Sequence, residues 1–156
     1  MTDDDYMRMA IERAREGLAA DQSPFGACIV RDGHVLACEH NVVWRETDST
    51  AHAEVTAIRV ACRAAAGVKL AGATIYSTTE PCPMCFAAIH WAGIDRIVYG
   101  ASIADAQRAG FGELAISNFD LKRLGGSNVK IVPDVLAPEA VRLFDDWLAN
   151  PRRRVY

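Results

Sequence analysis

Two cysteines of the sequence are spaced as metal ligands. Cys82 and Cys85 lie three positions apart in the segment Pro81-Cys82-Pro83-Met84-Cys85. In the first turn of a helix, side chains at this spacing project to the same side, and the free N–H groups of that turn favour thiolate over thiol. Pro83 suits such a position because its missing N–H would have no partner there. The pattern predicts that both sulfurs face one ligand at the start of a helix.

A second segment, His52-Ala53-Glu54, offers an imidazole and a carboxylate. Residues two apart on a helix point about 200° apart. His52 and Glu54 can therefore serve one site only if it lies beyond the helix end, with His52 at or before the first turn. One imidazole and two thiolates leave a fourth tetrahedral position for water, which is the ligand count of a catalytic zinc site and not of a structural one.

The presence of Glu54 favours a catalytic metal site over a structural one. Zinc lowers the pKa of a bound water to about 7, and a carboxylate beside the metal can then carry the proton, which contributes about 10² to 10⁴ in rate. Taken alone, a glutamate in a first helical turn is explained by the helix dipole. Other side chains could close the fourth position, although none has a short metal-ligand spacing to the motif: His34, His40, His90, Cys28, Cys38 and Cys62.

Apolar periodicity and turn residues predict the elements that position these groups. Helices are expected at about 3–20, 52–66, 83–92 and 138–149, and strands at about 27–31, 34–39, 73–78, 94–99 and 129–133. Asp32-Gly33 predicts a type I′ hairpin turn, and residues 101–118 are expected to form a loop with short helical turns. The order predicts a three-layer α/β/α fold in one domain over residues 1–156, with a mixed sheet of about five strands.

Composition excludes several classes of protein. The 156 residues carry a formal net charge of −3, which argues against a protein that coats nucleic acid. No apolar run reaches the roughly 20 residues of a membrane span, and the acidic start, Met1 to Asp5, is unlike a signal peptide. We expect a cytoplasmic protein without a membrane partner. Of the five cysteines, Cys28, Cys38 and Cys62 are expected to be small core residues.

The pattern H-x-E followed by P-C-x-x-C resembles the zinc-dependent nucleoside and nucleobase deaminase superfamily. The similarity covers about residues 5–120, and several features resemble its bacterial guanine deaminase branch. These are Pro24–Ala27, Asn41, Thr50–Arg59, Glu80–Cys85, Ala109–Phe111 followed by Glu113, and the terminal Tyr156. Gly112 precedes Glu113 where some relatives carry an aspartate pair, and no match can be placed over residues 120–132.

The resemblance implies a mechanism. His52, Cys82 and Cys85 would hold one Zn²⁺ per subunit, and Glu54 would take the proton of a water that attacks the ring carbon bearing the exocyclic amine. Ammonia would then leave, and guanine would give xanthine. Glu113 would be the second proton carrier.

Substrate contacts are also implied by the resemblance. Asn41 would hydrogen-bond the base edge, Phe25 and Phe111 would pack on the purine ring, and Trp91 would line the pocket. The implied contact residues are Phe25, Asn41, Ala53, Trp91, Phe111 and Tyr156. The alternative for Asn41 is an ordinary turn residue, and the alternative for Phe25 is core packing. For Trp91 the alternative is packing on the helix surface, and for Tyr156 it is a frayed terminus. The C-terminal segment, about 138–156, would close over the site, either in its own subunit or swapped within a homodimer.

Three alternatives stay open. The first is another amino-heterocycle on the same machinery, such as cytosine, an aminotriazine or guanosine. The second is a tRNA adenosine deaminase, which needs a basic track for phosphates; the only basic cluster is Arg152-Arg153-Arg154. The third is a zinc-stabilised binding module without catalysis.

Overall fold

A five-stranded mixed sheet lies at the centre of the computed structural model, which describes residues 1–156. Its strands are β1 (Gly26–Arg31), β2 (His34–His40), β3 (Thr74–Thr79), β4 (Arg96–Ala101) and β5 (Lys130–Val132). The strand order is β2-β1-β3-β4-β5. Strand β1 runs antiparallel to β2 and β3, whereas β3, β4 and β5 run parallel. The predicted mixed sheet of five strands is confirmed.

Helices cover both faces of this sheet. They are α1 (Asp3–Ala19), α2 (Val43–Glu46), α3 (Ala53–Ala64), α4 (Pro83–Ala92), α5 (Ile103–Arg108), α6 (Asn118–Gly125) and α7 (Ala137–Ala149). Helices α1 and α7 pack on one face and α3 and α4 on the other, which confirms the three-layer prediction. The sequence did not predict α2 or α6. No helix has both the length and the apolar character needed to cross a membrane.

Each face of the sheet buries its own core, because successive strand residues point to opposite sides. Ile75 and Ile97 pack with α3 and α4, whereas Tyr76 and Val98 pack with α1. Helix α1 approaches β1 so closely that a Cβ on Gly26 would lie 2.2 Å from the Ala10 carbonyl oxygen. Glycine is therefore required at the start of β1.

The β1–β2 hairpin contains a disulfide that the sequence did not predict. Asp32 and Gly33 have φ values of 52° and 77°, as a type I′ turn requires. Continued without interruption, that turn would pair Cys28 with Ala37. A register shift after Ile29 brings Cys38 opposite Cys28 instead, and the two form a disulfide. The prediction that both are core residues is confirmed, but their disulfide was not predicted, because nothing in the local sequence shows the shift.

Cys62 agrees with its prediction. It is a free thiol, half-buried, and packs against the core beneath α3 and α4.

One end of the sheet collects residues that are distant in sequence. Because β1 runs antiparallel to its neighbours, its beginning lies beside the ends of β2 and β3. The backbone N–H of Gly26 donates to Thr78 Oγ1 at 3.1 Å, and the backbone N–H of Asn41 donates to the Phe25 carbonyl at 2.9 Å. Phe25, Asn41 and the segment after Thr79 therefore meet at this end.

Candidate active site

Three predicted metal ligands meet where two helices begin. His52 precedes α3 and Cys82 precedes α4, both with extended backbone, and Cys85 lies in the first turn of α4. Their side chains consequently point past the helix ends toward one another. The prediction that His52 stands before the first turn is confirmed.

The donor atoms fit a tetrahedral zinc ion. His52 Nδ1 lies 3.7 Å from Cys82 Sγ and 3.5 Å from Cys85 Sγ. Zn–S and Zn–N bonds of about 2.3 and 2.0–2.1 Å at a tetrahedral angle place nitrogen and sulfur about 3.6 Å apart. The three donors lie within 4.8 Å of one another and form the only such group in the protein. None of the six alternative side chains closes the fourth position.

The two sulfurs differ strongly in acidity. A hydrogen bond from the Cys85 thiol, helped by His52, lowers the pKa of Cys82 to about 4 although burial opposes it. The same bond and burial raise the pKa of Cys85. Without a metal the pair therefore retains one proton, which a dication bound between the two sulfurs would replace.

Glu54 lies beside this group in the first turn of α3. It is 6% exposed, and burial raises the pKa of its carboxyl group. Its Oε2 lies 3.5 Å from Cys85 Sγ, and its Oε1 lies 3.0 Å from Ser77 Oγ, which is itself 2.7 Å from the Thr79 carbonyl. A hydroxyl carries one proton. Ser77 can therefore donate to an ionised Glu54, or accept from a protonated Glu54 while it donates to Thr79.

A small cavity lies between the metal-binding group and the side chain of Glu113. Its volume is about 10 Å³, which is close to the space needed by one water molecule. Its lining residues are Phe25, His52, Glu54, Thr79, Glu80, Cys82 and Glu113. A water held there would touch both Glu54 and the metal-binding group.

A larger cavity opens from the same residues. It has a volume of about 220 Å³ and shares His52, Cys82 and Glu113 with the small cavity. The remaining lining residues are Ser49, Pro83, Met84, Phe111, Gly112, Leu114 and Tyr156. This volume lies below the range of about 300–1,000 Å³ common for sites of drug-sized ligands, so the cavity suits a small, flat molecule.

Glu113 projects into this space from the irregular segment between α5 and α6. Burial, with the nearby Cys82 thiolate, raises the pKa of Glu113 to about 7. A carboxyl group with this pKa is present in both protonation states near neutral pH, which suits it to carry a proton.

The C-terminal residue, Tyr156, lines the larger cavity of its own chain. Asn41 Nδ2 donates to the Tyr156 hydroxyl at 2.7 Å, and the Tyr156 ring meets the His52 ring edgewise at 5.6 Å. Asn41 is fully buried, and its Oδ1 accepts from the Val43 amide at 3.1 Å. The tail is also fixed by Arg152, paired with Asp21 at 3.0 Å. Tyr156 thus lines the larger cavity, whereas Asn41 contacts Tyr156 from behind and lines neither cavity.

Of the other predicted contact residues, Phe25 lies at the site, whereas Ala53 and Trp91 do not. Phe25 lines the small cavity and packs edge-to-face on Phe111, with ring centroids 4.9 Å apart. Ala53 is fully buried in the core beneath α3 and lines neither cavity. Trp91 is 74% exposed on the outer side of α4, next to Ile58 and Val68. The structure thus places Trp91 away from the pocket, because its position in α4 faces outward.

Several residues of the site were missed by sequence reasoning. Ser77 contacts Glu54, and Ser49 and Met84 line the larger cavity. Met84 lies within the cysteine motif, so its place near the site was readable from the sequence. Ser77 and Ser49 carry no such signal, because only the folded sheet and the loop before α3 bring them close.

Comparison with known proteins identifies the family. The family profile described as "Cytidine and deoxycytidylate deaminase zinc-binding region" matches residues 1–101. The chain belongs to this deaminase family. It is a zinc-dependent hydrolase that acts on C–N bonds, and the histidine and two cysteines described above form the group that fits the metal.

Relatives of this deaminase differ in their substrates. It is 44% identical to the guanine deaminase of Bacillus subtilis over 112 residues, which are 71% of this chain and 72% of that protein. It is 46% identical to a tRNA-specific adenosine deaminase of Agrobacterium fabrum over 96 residues, 62% of this chain and 63% of that protein. The solved structure of a guanine deaminase from Nitrosomonas europaea superimposes with a TM-score of 0.87 at 26% identity, over 94% of this chain and 85% of that one.

Proposed function

We propose that this zinc-dependent nucleobase deaminase acts on free guanine and converts guanine and water to xanthine and ammonia. The observation that carries the proposal is the larger cavity beside the metal-binding group, together with the water-sized cavity that adjoins it. A space of about 220 Å³ is bounded by the metal-binding group and by Tyr156 of the C-terminal tail. This volume is enough for a free base, and Glu113 lines the same space. The identity to a guanine deaminase supports the same substrate.

For each step of this deamination, the chain places a suitable side chain close to the cavity. His52, Cys82 and Cys85 would hold the zinc ion, which would supply an acidified water as nucleophile. Glu54, buried beside that group, takes the proton of the attacking water and delivers it to a ring nitrogen of the base. Ser77 keeps the Glu54 carboxyl group hydrogen-bonded in both protonation states. Glu113 gives a proton to the exocyclic nitrogen as it leaves as ammonia, which its pKa of about 7 permits, and Glu54 takes the proton of the new hydroxyl group as the carbonyl forms.

Binding of the base is assigned to aromatic and amide groups. Phe111 and Tyr156 line the cavity and would enclose the ring, with Phe25 behind Phe111. Asn41 would hydrogen-bond the base edge with the amide hydrogen that Tyr156 does not use.

A panel of amino-heterocycles tests the substrate. The purified protein is incubated with guanine, guanosine, cytosine, adenine and an aminotriazine, and ammonia release is measured for each. We expect guanine to be turned over at least 100-fold faster than the others, because unpaired polar groups in a closed pocket reject the wrong base strongly. Turnover of cytosine without turnover of guanine would overturn the proposal.

A tRNA adenosine deaminase is the second candidate, favoured by the 46% identity to such an enzyme. The net charge of −3 argues against it, because such an enzyme needs a basic track for phosphates. Inosine formation in tRNA, with binding that weakens steeply as salt rises, would establish this candidate instead.

We further propose a homodimer in the cytoplasm. An apolar surface around Trp91 and Val68, which are 74% and 79% exposed, supports a partner subunit. Sedimentation tests the dimer. Mixing Glu54→Gln subunits with subunits that lack residues 150–156 tests a swapped tail. Activity of the mixture would show that one subunit closes the site of the other, whereas an inactive mixture would show closure within one chain.

A further inference from the structure

Glu80 is a buried acidic residue with no part in the chemistry described above. It is 8% exposed and lies between the end of β3 and Cys82. Its carboxylate accepts two backbone hydrogen bonds, from Asn118 N to Oε1 at 2.8 Å and from Ile103 N to Oε2 at 3.3 Å. Ile103 is the first residue of α5 and Asn118 the first of α6. Amide groups at these positions have no acceptor within their own helix.

Each of these two helix starts has two side-chain acceptors, one from a serine and one from Glu80. The Ser102 side chain accepts from the Asp105 amide in α5, and the Ser117 side chain accepts from the Asp120 amide in α6. Glu80 bonds the first amide of both helices and so joins the two helix starts through one side chain. Asn118 adds a bond back to the metal-binding loop, from Nδ2 to the Pro81 carbonyl at 2.6 Å.

The segment between these helix starts carries the second proton carrier. Residues 112–117 form no helix or strand, and their own backbone amides make a single backbone hydrogen bond, from Ile116 to Leu114. The Glu113 carbonyl receives only a long contact of 3.4 Å from Gln107. Glu80 therefore bonds the residue that directly follows the segment, Asn118, and the first residue of α5, the helix that precedes the segment. Glu80 and Glu113 also line the same water-sized cavity.

We propose that Glu80 is a positioning residue that sets where Glu113 stands relative to Glu54 and the metal-binding group. A carboxylate is required because it offers an acceptor oxygen to each helix start. A glutamine offers one oxygen and one NH₂ group, so it can bond only one of the two amides. The proposal rests on the proposed function for its rate measurement and is independent of it for its measurement of loop order.

The rate experiment compares Glu80→Gln with Ser102→Ala in the zinc-loaded protein. Glu80→Gln removes one hydrogen bond from a helix start, and Ser102→Ala removes the two that Ser102 Oγ makes with Asp105, but only the first variant releases the shared anchor. We expect Glu80→Gln to lower kcat for guanine about 10- to 100-fold with KM within threefold and zinc content unchanged, because a displacement of about 1 Å costs on this order. Ser102→Ala should leave kcat within twofold. Equal losses in both variants, or no loss in Glu80→Gln, would overturn the proposal.

A double variant separates positioning from a general loss of stability. If Glu80 acts through Glu113, adding Glu80→Gln to Glu113→Gln should lower kcat by less than threefold. Multiplication of the two single losses would contradict the proposal. If Glu80→Gln does not fold, Glu80→Asp takes its place, since the shorter carboxylate keeps its charge but cannot reach both amides.

Hydrogen exchange measures the same role without turnover. Amides of residues 109–118 should exchange at least tenfold faster in Glu80→Gln than in the wild type or in Ser102→Ala, while those of β3 and β4 keep their rates. Unchanged exchange would overturn the role of Glu80. A wild type that does not deaminate guanine would instead overturn the proposed function and leave the exchange result to decide the role of Glu80.

Discussion

Residues 1–101 and residues 102–156 contribute to the site in different ways. The first region carries His52, Glu54 and Cys82 on helix starts that pack against the sheet, and Glu54 is 6% exposed. The second region carries Glu113 and Tyr156 on segments without regular structure. The family match ends at residue 101. The metal-binding group and Glu54 thus lie in the region that the family profile matches, whereas Glu113 and Tyr156 lie outside it.

The cause lies in how each region is held. The metal-binding group is fixed by two helices and the sheet core, so its geometry follows from packing. In residues 102–156, α5 and α7 pack into a buried cluster around Phe111 and Trp147, whereas the C-terminal tail depends on a few contacts, such as Asn41 with Tyr156 and Asp21 with Arg152. Segments with few buried contacts open at low free-energy cost, which is what entry of a base and release of its product require.

The largest effect is expected in residues 1–101. Glu54→Gln should keep fold and zinc but lower turnover by about 10³ to 10⁴, because the proton carrier at the attacking water is removed. Ammonia release, metal analysis and a thermal melt measure these three properties. Glu46→Gln, at an exposed glutamate of α2, is the matched control. An active Glu54→Gln together with an unfolded His52→Ala would instead favour a zinc-stabilised binding module.

Glu113→Gln tests residues 102–156 and should cost less, about 10- to 100-fold in kcat/KM. In the wild type the protonated form of Glu113 is lost as pH rises through about 7, so activity should fall on that side. The variant should lack this alkaline limb. The measurement is a pH profile of kcat/KM from pH 5 to 9, and a limb that persists in the variant would exclude Glu113 as the proton donor.

A smaller effect is expected at the tail. Tyr156→Phe removes the hydrogen bond from Asn41, worth about 1 kcal/mol, so KM for guanine should rise about fivefold with kcat nearly unchanged. Tyr6→Phe is the control, because it removes one hydroxyl bond, to the Gly33 carbonyl, away from the site. Equal KM values in the two variants would show that the tail does not contribute to binding.

The smallest effect on activity is expected from the Cys28–Cys38 disulfide. Closing a loop of about ten residues stabilises a protein by roughly 2–3 kcal/mol. Replacing both cysteines by serine should lower the thermal midpoint but leave kcat within twofold. Denaturing alkylation without reductant should label three cysteines, and with reductant all five. Five labelled cysteines without reductant would exclude the disulfide, and Cys62→Ser is the control for thiol loss.

Local signals explain what the sequence could predict. Helices α1, α3, α4 and α7 and all five strands were predicted to within about two residues, because their periodicity and turn residues are strong. His52 and Cys82 were placed at helix starts from spacing alone, and the structure confirms both.

Non-local contacts explain the rest. The disulfide depends on a register shift between strands, and the outward direction of Trp91 depends on the rotation of α4 against the sheet. Helix α6 falls in the stretch where no resemblance could be placed, and its Ser117 cap reads equally well as a turn residue. The role of Glu80 needs α5 and α6 side by side, which sequence spacing does not reveal.

Helices α3 and α4 begin without side-chain caps, although α1, α5 and α6 are capped by Thr2, Ser102 and Ser117. A missing cap costs about 1 kcal/mol per helix. Helices α2 and α7 also lack such caps, but only His52 and Cys82 are predicted metal ligands, and a serine or aspartate there would make a more stable metal-free protein and an inert one. Thermostability screens on apoprotein would select against the very residues that make it an enzyme.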